Sequence, residues 1–458
     1  MPSAGIPDEW PGERVLEGRT IHHLPPATGK LTDEQLERHG KGPASKEHRT
    51  VFHNPAMAGC RTRSVLLLDY MMQSGWLGPN DRPVRALDAL CASGIRARRW
   101  ANELPKDKLA RLEITATDLD GKALQWAIAN SRDESIHFRE GDVRQMMLEA
   151  GWQWIDIDPY GSPVRFLDSA LQSTGRRCVM EITATDTAAL TGSSSTACLR
   201  RYGAQIRTDD WAHDSGLRLL LATVAKVAAT HDRKIVPLLS SWDSHHLRIS
   251  IQVTRSIEGA NTIQDKLGWR VVNPSPEELR ASCAAGLHPN GDVHPQPQCL
   301  LPITHPVDVS DKRFSGPLWV GPLHDAQILD AMSEERALEL CWVGKITKEE
   351  GLIENPRDSE TIQTMNWNSR DLEYARRAIV RSVKGFQEES GLADVPSLII
   401  TDSLPAYGNM PGPPRIRTLV EKLIERGYRA AVARWEKPAI RTDAPWPVII
   451  EVAESSFD

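Results

Sequence analysis

At 458 residues the chain is longer than one ordinary domain, and two domains joined by a linker is the expected organisation. With 40% apolar and 25% charged residues it reads as a water-soluble globular protein, since its apolar runs fall far short of the roughly 20 residues that span a bilayer. A net charge of −6 argues against an overall basic nucleic-acid coat but leaves room for a local basic face, because phosphate attraction is local.

The start, MPSAGIPDEWPGERV, lacks the basic-then-apolar pattern of a secretory leader, so a cytoplasmic protein is expected. Residues 1–50 read as an extended arm rich in Pro, Gly and charge, with one short helix-like piece near Thr32 to His39. A helix follows, with Val65, Leu68 and Met72 on one face and with Arg61 and Arg63 at its start, where the helix dipole disfavours cations.

From Pro83 to Val253 strand and helix patterns alternate, which predicts a parallel sheet covered on both faces. VRALDAL ends near Asp88, and the turn CASG leads into the helix IRARRWANEL. LEITATD ends at Asp118, SIHFREGD at Asp142, and WQWIDID at Asp158. After Asp158 come Pro159 and Tyr160, then Ser162 and Pro163, suited to cap and begin the helix SPVRFLDSALQS. RRCVMEITATD is a fifth strand ending at Asp186, ALTGSSSTACLRRYGA reads as a flexible segment, and LRLLLATVAKVAA as a long helix. KIVPLLSSW and LRISIQVT close the sheet as an antiparallel hairpin. Residues 256–312 read as an irregular linker, and 313–458 as a smaller α+β domain whose last strand is VIIEV.

Ligands of open parallel sheets lie beyond the carboxyl ends of the strands, where this chain repeats an acid: Asp88, Asp118, Asp142 and Asp158. A carboxylate after the second strand suits the two hydroxyls of a ribose, and one after the third suits an adenine amino group. DALCASG has one glycine where a dinucleotide fingerprint has three, which disfavours a pyrophosphate and a nicotinamide cofactor. A nucleoside without phosphates, on a sheet with a terminal hairpin, points to S-adenosylmethionine. Asp158, beside a proline and an aromatic ring, then suits the orientation of a planar amine, with Asp156 as the weaker candidate for the base. The surviving acids also argue against a catalytically silent RNA-binding protein.

The motifs VFHNPAM, ALDALCASGIRARRWANE, IDIDPYGSP, EITATDTAALTG, CLRRYGAQ, FSGPLWVGPLHD and GYRAAVARWEKPAIRTDAP occur in that order. Together they resemble the tRNA guanine-N2 dimethyltransferases that act on guanine 26. The resemblance implies a Rossmann-like class I methyltransferase domain over 51–255, S-adenosylmethionine, tRNA as partner and a tRNA-binding domain over 313–458; no obligate protein partner is expected. It implies that Arg61 and Arg96 meet the donor beside Asp88, that Asp118 holds its ribose, and that Asp142 with Val143 flanks its adenine. Asp158 falls on the catalytic aspartate, with Pro159 and Tyr160 completing the motif, and Thr185 and Asp186 are expected to line the same pocket.

Arg200 and Arg201 are expected on phosphates, together with the stretch Pro411 to Thr442, where eight Lys or Arg face three Glu and which includes Arg434 and Arg441. Two departures stand out. The family reads Asn-Arg-Asp where this chain has Cys60, Arg61 and Thr62, so the acid partner of Arg61 is missing from that motif. Cys283 and Cys299, the remnants of paired cysteines, flank His288 and His294 without a CxxC, and no metal is expected.

Overall fold

The computed structural model describes residues 5–27, 49–131, 135–243, 245–289, 291–342, 346–347, 352–353, 362–363 and 369–457. The helix-like piece at Thr32 to His39 lies outside the described residues.

The chain opens with the strands β1 (Glu13–Glu17) and β2 (Thr20–Leu24), followed by helix α1 (Ala58–Gln73). Next come β3 (Val84–Asp88), α2 (Ile95–Glu103), β4 (Leu112–Asp118), α3 (Gly121–Asn130), β5 (Ile136–Glu140), α4 (Val143–Met147), β6 (Trp152–Ile157) and α5 (Val164–Gln172). After these run β7 (Thr174–Ala184), α6 (Thr187–Leu190), α7 (Ser195–Tyr202), α8 (Ala212–Thr230), β8 (Arg233–Asp243) and β9 (His246–Arg255). These strands form a seven-stranded sheet of order β5-β4-β3-β6-β7-β9-β8. β3 is parallel to β4 and β6, β4 is parallel to β5, and β8 is antiparallel to β9. The expected α/β sheet with a terminal hairpin is present.

Further elements include β10 (Leu267–Val272), α9 (Pro276–Ala284), β11 (Gln298–Pro302), β12 (Phe314–Trp319), α10 (Ala326–Ala331), α11 (Glu334–Cys341) and α12 (Ser369–Val383). Near the C-terminus lie β13 (Ile399–Ile400), α13 (Ile416–Glu425), β14 (Ala430–Val432), β15 (Ala439–Thr442) and α14 (Trp446–Glu454). Among the described residues no helix is long and apolar enough to cross a membrane.

The chain divides into two compact units. The first comprises Met1–Ile157, Ser173–Cys178 and Ala331–Lys384. Its core is apolar burial: Val65 to Leu68 of α1 are at most 1% exposed, and Trp100 meets Trp154 edge to face at 6.1 Å. The expected extended arm instead carries the β1–β2 hairpin, fastened where the Arg98 guanidinium donates to the Ile21 carbonyl at 2.6 Å. Glu17, the last residue of β1, is buried and accepts from Nε and Nη2 of Arg61, at 2.6 and 2.5 Å, and from Arg99 at 3.2 Å.

The second unit comprises Asp158–Gln172, Val179–Asp330 and Gly385–Asp458. α8 is buried along most of its length, as LRLLLATVAKVAA requires. Residues 256–312, expected to be irregular, hold most of a three-stranded antiparallel sheet, β11-β10-β12. The Pro and Asn that suggested a linker lie in the loops between these short strands, and Ser275 and Glu278 form a capping box at the start of α9. A correction also falls on VIIEV, which belongs to α14 and not to a strand. Trp446, Ile449, Val452 and Ala453 recur at helical spacing and bury one face, and prolines suit the helix start. The strand near the C-terminus is β15, between β13 and β14.

Candidate active site

The parallel register in the first unit brings the strand-end acids level: Asp88 pairs across the sheet with Asp156, and Asp118 with Glu140. Asp88 is buried and accepts the Ala97 N–H at 3.2 Å, satisfying a donor in the first turn of α2. Arg96, one residue earlier, is 4% exposed and pairs with Asp156 at 3.2 Å while a second nitrogen approaches the Cys60 sulfur at 3.8 Å. Asp156 is fully buried, so the structure gives it a counter-ion where the sequence left it as the weaker candidate for the base.

Asp118 is partly exposed. One of its oxygens accepts the Ala92 N–H at 2.7 Å and the other the Asp120 N–H at 2.9 Å, which pins the CASG turn to the end of β4. In that turn Ala92 has φ +46°, sparsely populated for a residue with a side chain. Gly94 has φ +77°, and a Cβ there would meet that of Ala127 at 2.9 Å, which is why this glycine is needed without any pyrophosphate. Ser93 is buried, and its Oγ finds no partner among the described residues. Leu119, next to Asp118, is 72% exposed. Asp142 caps α4 through the Arg144 N–H at 3.0 Å and is gripped by the Arg144 guanidinium, while Val143 is buried.

Arg61 is buried, and it also reaches the Asn54 carbonyl at 2.9 Å. The acid missing from its own motif is supplied by Glu17, 44 residues earlier, a partner that no local reading could find.

In the second unit Asp158 is half-buried, Pro159 buried, and Tyr160 71% exposed. Gly161 makes a reciprocal clamp with Thr185: its N–H donates to the Thr185 Oγ1 at 2.6 Å, and the Thr185 N–H donates to its carbonyl at 3.0 Å. Ser162 lies 2.9 Å from the Tyr202 hydroxyl, and that hydroxyl donates to both oxygens of Asp186, at 2.8 and 2.9 Å. Burial and the neighbouring Asp186 push the Tyr202 phenol up, so it stays a donor. Arg201 also pairs with Asp186, at 3.0 Å.

The segment expected to be flexible is therefore α6 and α7, with Cys198 and Tyr202 buried. Arg200 is exposed on the last turn of α7. Burial pushes the pKa of His245, which the sequence reading left unassigned, below its ordinary value, against the opposing charges of Asp158 and Asp243.

The basic stretch is mostly paired within the chain. Arg441 is 4% exposed, pairs with Glu389 at 2.9 Å and donates to the carbonyls of Val395, Pro396 and Ser397, so as folded it offers no surface to a phosphate. Arg434 pairs with Asp243 at 2.9 Å and covers the Phe386 ring at 4.5 Å. Arg426, Arg429 and Lys437 pair with Glu451, Asp394 and Asp210. Among the described residues Arg415 and Arg417 remain exposed without an ion pair. His288 and His294 both bond Asp292, which also accepts the Trp446 N–H at 2.6 Å and whose carboxyl is held down to about 2 against the upward push of burial. Among the described residues no three His, Cys, Asp or Glu side chains are placed to share a metal ion.

A seven-stranded sheet of this order, ending in an antiparallel hairpin with acids at successive strand ends, defines a class I methyltransferase fold. The structure of Trm1 from Pyrococcus horikoshii with S-adenosyl-L-methionine has the same fold, with a TM-score of 0.68 at 23% identity, covering 96% of this chain and 100% of that one. Residues 32–348 match the model of the N2,N2-dimethylguanosine tRNA methyltransferase family, and the chain belongs to that family. Among its relatives, the tRNA (guanine(26)-N(2))-dimethyltransferase of Aeropyrum pernix is 29% identical over 449 residues, covering 95% of each chain. That of Thermococcus kodakarensis is 27% identical over 425 residues, 88% of this chain and 93% of the relative.

Proposed function

We propose that this protein transfers one and then a second methyl group from S-adenosylmethionine to the exocyclic N2 of a guanine in tRNA, at position 26. The observation that carries the reading is family membership across more than half of the chain, with the Asp158–Pro159–Tyr160 segment held by Thr185. The residues in the first unit fit the donor: Asp118 keeps lone pairs for two ribose hydroxyls beyond its two N–H bonds, Leu119 is an exposed apolar side chain suited to a flat purine, and the orphaned Ser93 hydroxyl awaits a polar partner. Asp142 and Val143 would flank the adenine. Arg96 and Arg61 would act on the donor through the elements they brace, because both guanidiniums are already paired.

When bound, S-adenosylmethionine supplies an electrophilic methyl group. The lone pair of a guanine amine is delocalised into the ring, so the protein must localise it. Asp158 accepts one N–H of the amine, the backbone carbonyls at 158 and 159 accept the other, and the lone pair is left aimed at the methyl. Tyr160, already at the surface, stacks on the base once that base has left the RNA stack. Asp158 then receives the proton the nitrogen sheds. Thr185 and Asp186 hold the loop that carries these groups.

For tRNA phosphates we assign the exposed Arg200, Arg415 and Arg417 first, with Arg201 available on breaking its exposed pair with Asp186. Residues 313–458 supply part of that surface. The seven free cysteines suit the reducing cytoplasm, where tRNA is modified.

The test offers donor labelled in its methyl group to tRNA transcripts carrying guanine or inosine at position 26. Label on the guanine transcript alone is expected, because inosine lacks the exocyclic amine. Equal labelling of both at that position would overturn the assignment.

A further inference from the structure

Helix α12 packs through one face. Leu372, Ile379 and Val383 are at most 5% exposed, and the Ser382 carbonyl accepts from the Arg63 guanidinium of α1 at 2.9 Å. At roughly 100° of rotation per residue, Tyr374, Arg377, Arg381 and Lys384 fall together on the opposite side of the helix. All four are exposed, and the Lys384 N–H donates to the Val380 carbonyl at 3.1 Å, so the helical turn runs on through that residue. The Arg381 guanidinium lies over the Tyr374 ring, 5.7 Å from its centroid, and its Nε donates to the Arg377 carbonyl at 3.3 Å. Arg377 meets Glu373 at 2.9 Å, a pair in which both side chains reach water and which therefore contributes little. Among the described residues no carboxylate pairs with Arg381 or Lys384.

We propose that this outer face of α12 is an RNA contact of the first unit, in which Arg377, Arg381 and Lys384 take phosphates and Tyr374 stacks on an unpaired base. The proposal rests on the reading of tRNA as the substrate, and it adds a surface to the one formed by Arg200, Arg415 and Arg417. From Arg377 to Lys384 the helix rises about 10 Å. A nucleic-acid strand advances roughly 3.4 Å per phosphate, so this rise matches about three of them.

The chemistry of the face selects this partner. Tyr374 is 69% exposed with a guanidinium over it, and an exposed ring beside arginine is how proteins hold nucleotides that have left their stack. A helix that binds a bilayer must turn its apolar side outward, whereas Leu372, Ile379 and Val383 are already used in packing. The contrast with the stretch Pro411 to Thr442 is one of availability: there most cations meet a carboxylate, while on α12 the cations stand clear of the core beside a single acid, Glu373. Phosphate attraction is local, so the net charge of −6 does not cancel it.

The experiment measures binding of an unmodified tRNA transcript to the full chain between about 0.05 M and about 0.3 M salt. For the triple variant Arg377→Gln, Arg381→Gln and Lys384→Gln we expect affinity lowered about tenfold or more near the low-salt end, and a slope of log affinity against log salt shallower by about two to three contacts. Its melting temperature and its affinity for S-adenosylmethionine should match wild type. Arg377→Lys with Arg381→Lys should keep the wild-type slope. Tyr374→Leu should bind about fivefold or more weakly at every salt concentration with the slope unchanged, the mark of stacking as opposed to charge; wild-type affinity in that variant overturns the stacking. A triple variant with wild-type tRNA affinity and slope overturns the phosphate contacts, and if it has instead lost binding to vesicles of phosphatidylserine and phosphatidylcholine, the face belongs to a membrane and the proposal also falls. If the triple variant does not fold, Lys384→Gln alone decides: a slope shallower by about one contact is expected, and an unchanged slope overturns the proposal. A wild-type chain that does not bind the transcript removes the underlying reading, whereas wild-type binding beside an unaltered triple variant removes only the role of α12.

Discussion

Replacing Glu17 by Gln removes a carboxylate that serves two buried guanidiniums, those of Arg61 and Arg99. Arg61 would keep only the Asn54 carbonyl, whereas Arg99 would keep both oxygens of Glu103, at 2.8 and 2.7 Å. The loss thus falls on Arg61, whose side chain is 6% exposed. Burial alone would raise the Glu17 carboxyl; the charge and hydrogen bonds of Arg61, with the charge of Arg99, overcome it and lower the pKa from 4.5 to about 2. That lowering corresponds to about 3 kcal/mol, in line with the roughly 3–5 kcal/mol for breaking a buried pair. At roughly 2–4 °C per kcal/mol, the melting temperature of the unit holding Glu17 should fall by about 6–12 °C.

The sign with pH is fixed, because a carboxyl with a depressed folded-state pKa stabilises above its unfolded value and loses that contribution as pH falls toward the folded one. The gap between Glu17→Gln and wild type should therefore be full near pH 7 and shrink between about pH 4.5 and about pH 2. Thermal melts at about pH 7 and about pH 3 measure it. A gap below about 1 kcal/mol near pH 7, or one equally wide near pH 3, would refute the ion-pair account.

Asp118→Ala should weaken S-adenosylmethionine binding by about 1.5–3 kcal/mol, the range of hydrogen bonds to a charged group, and calorimetric titration reads it directly. Arg200→Ala should weaken tRNA binding and reduce the slope of log affinity against log salt by about one contact. Arg441→Ala should instead lower the melting temperature and leave that slope unchanged, because the Arg441 guanidinium is enclosed by Glu389 and three carbonyls.

Elements with strong periodicity were legible in the sequence. VRALD and LEITATD are short and end in an acid, WQWIDI is followed by one, and the hairpin of β8 and β9 could be read from two apolar runs about a short polar turn. Where β-branched residues cluster, local pattern misled. Val448, Ile449 and Ile450 resemble a strand, yet the one-sided burial of Trp446, Ile449 and Val452 makes them a helix. β10 and β11 were hidden because each is short and flanked by Pro and Asn.

Within the candidate site, residue types at strand ends were legible and their partners were not. Glu17 to Arg61 and Thr185 to Gly161 are contacts over long stretches of chain, set by tertiary packing. The basic stretch near the C-terminus was legible as charge but not as availability, since its count could not reveal the carboxylates that neutralise it.

The central claim is methyl transfer to guanine N2 through Asp158. Its most direct test is nucleoside mass spectrometry of an unmodified tRNA transcript after incubation with S-adenosylmethionine and either the wild-type chain or Asp158→Asn. The account predicts N2-methylguanosine followed by N2,N2-dimethylguanosine at position 26 with wild type, and neither with Asp158→Asn, which still binds the donor. An unmethylated position 26 with wild type, or full dimethylation with Asp158→Asn, would contradict it.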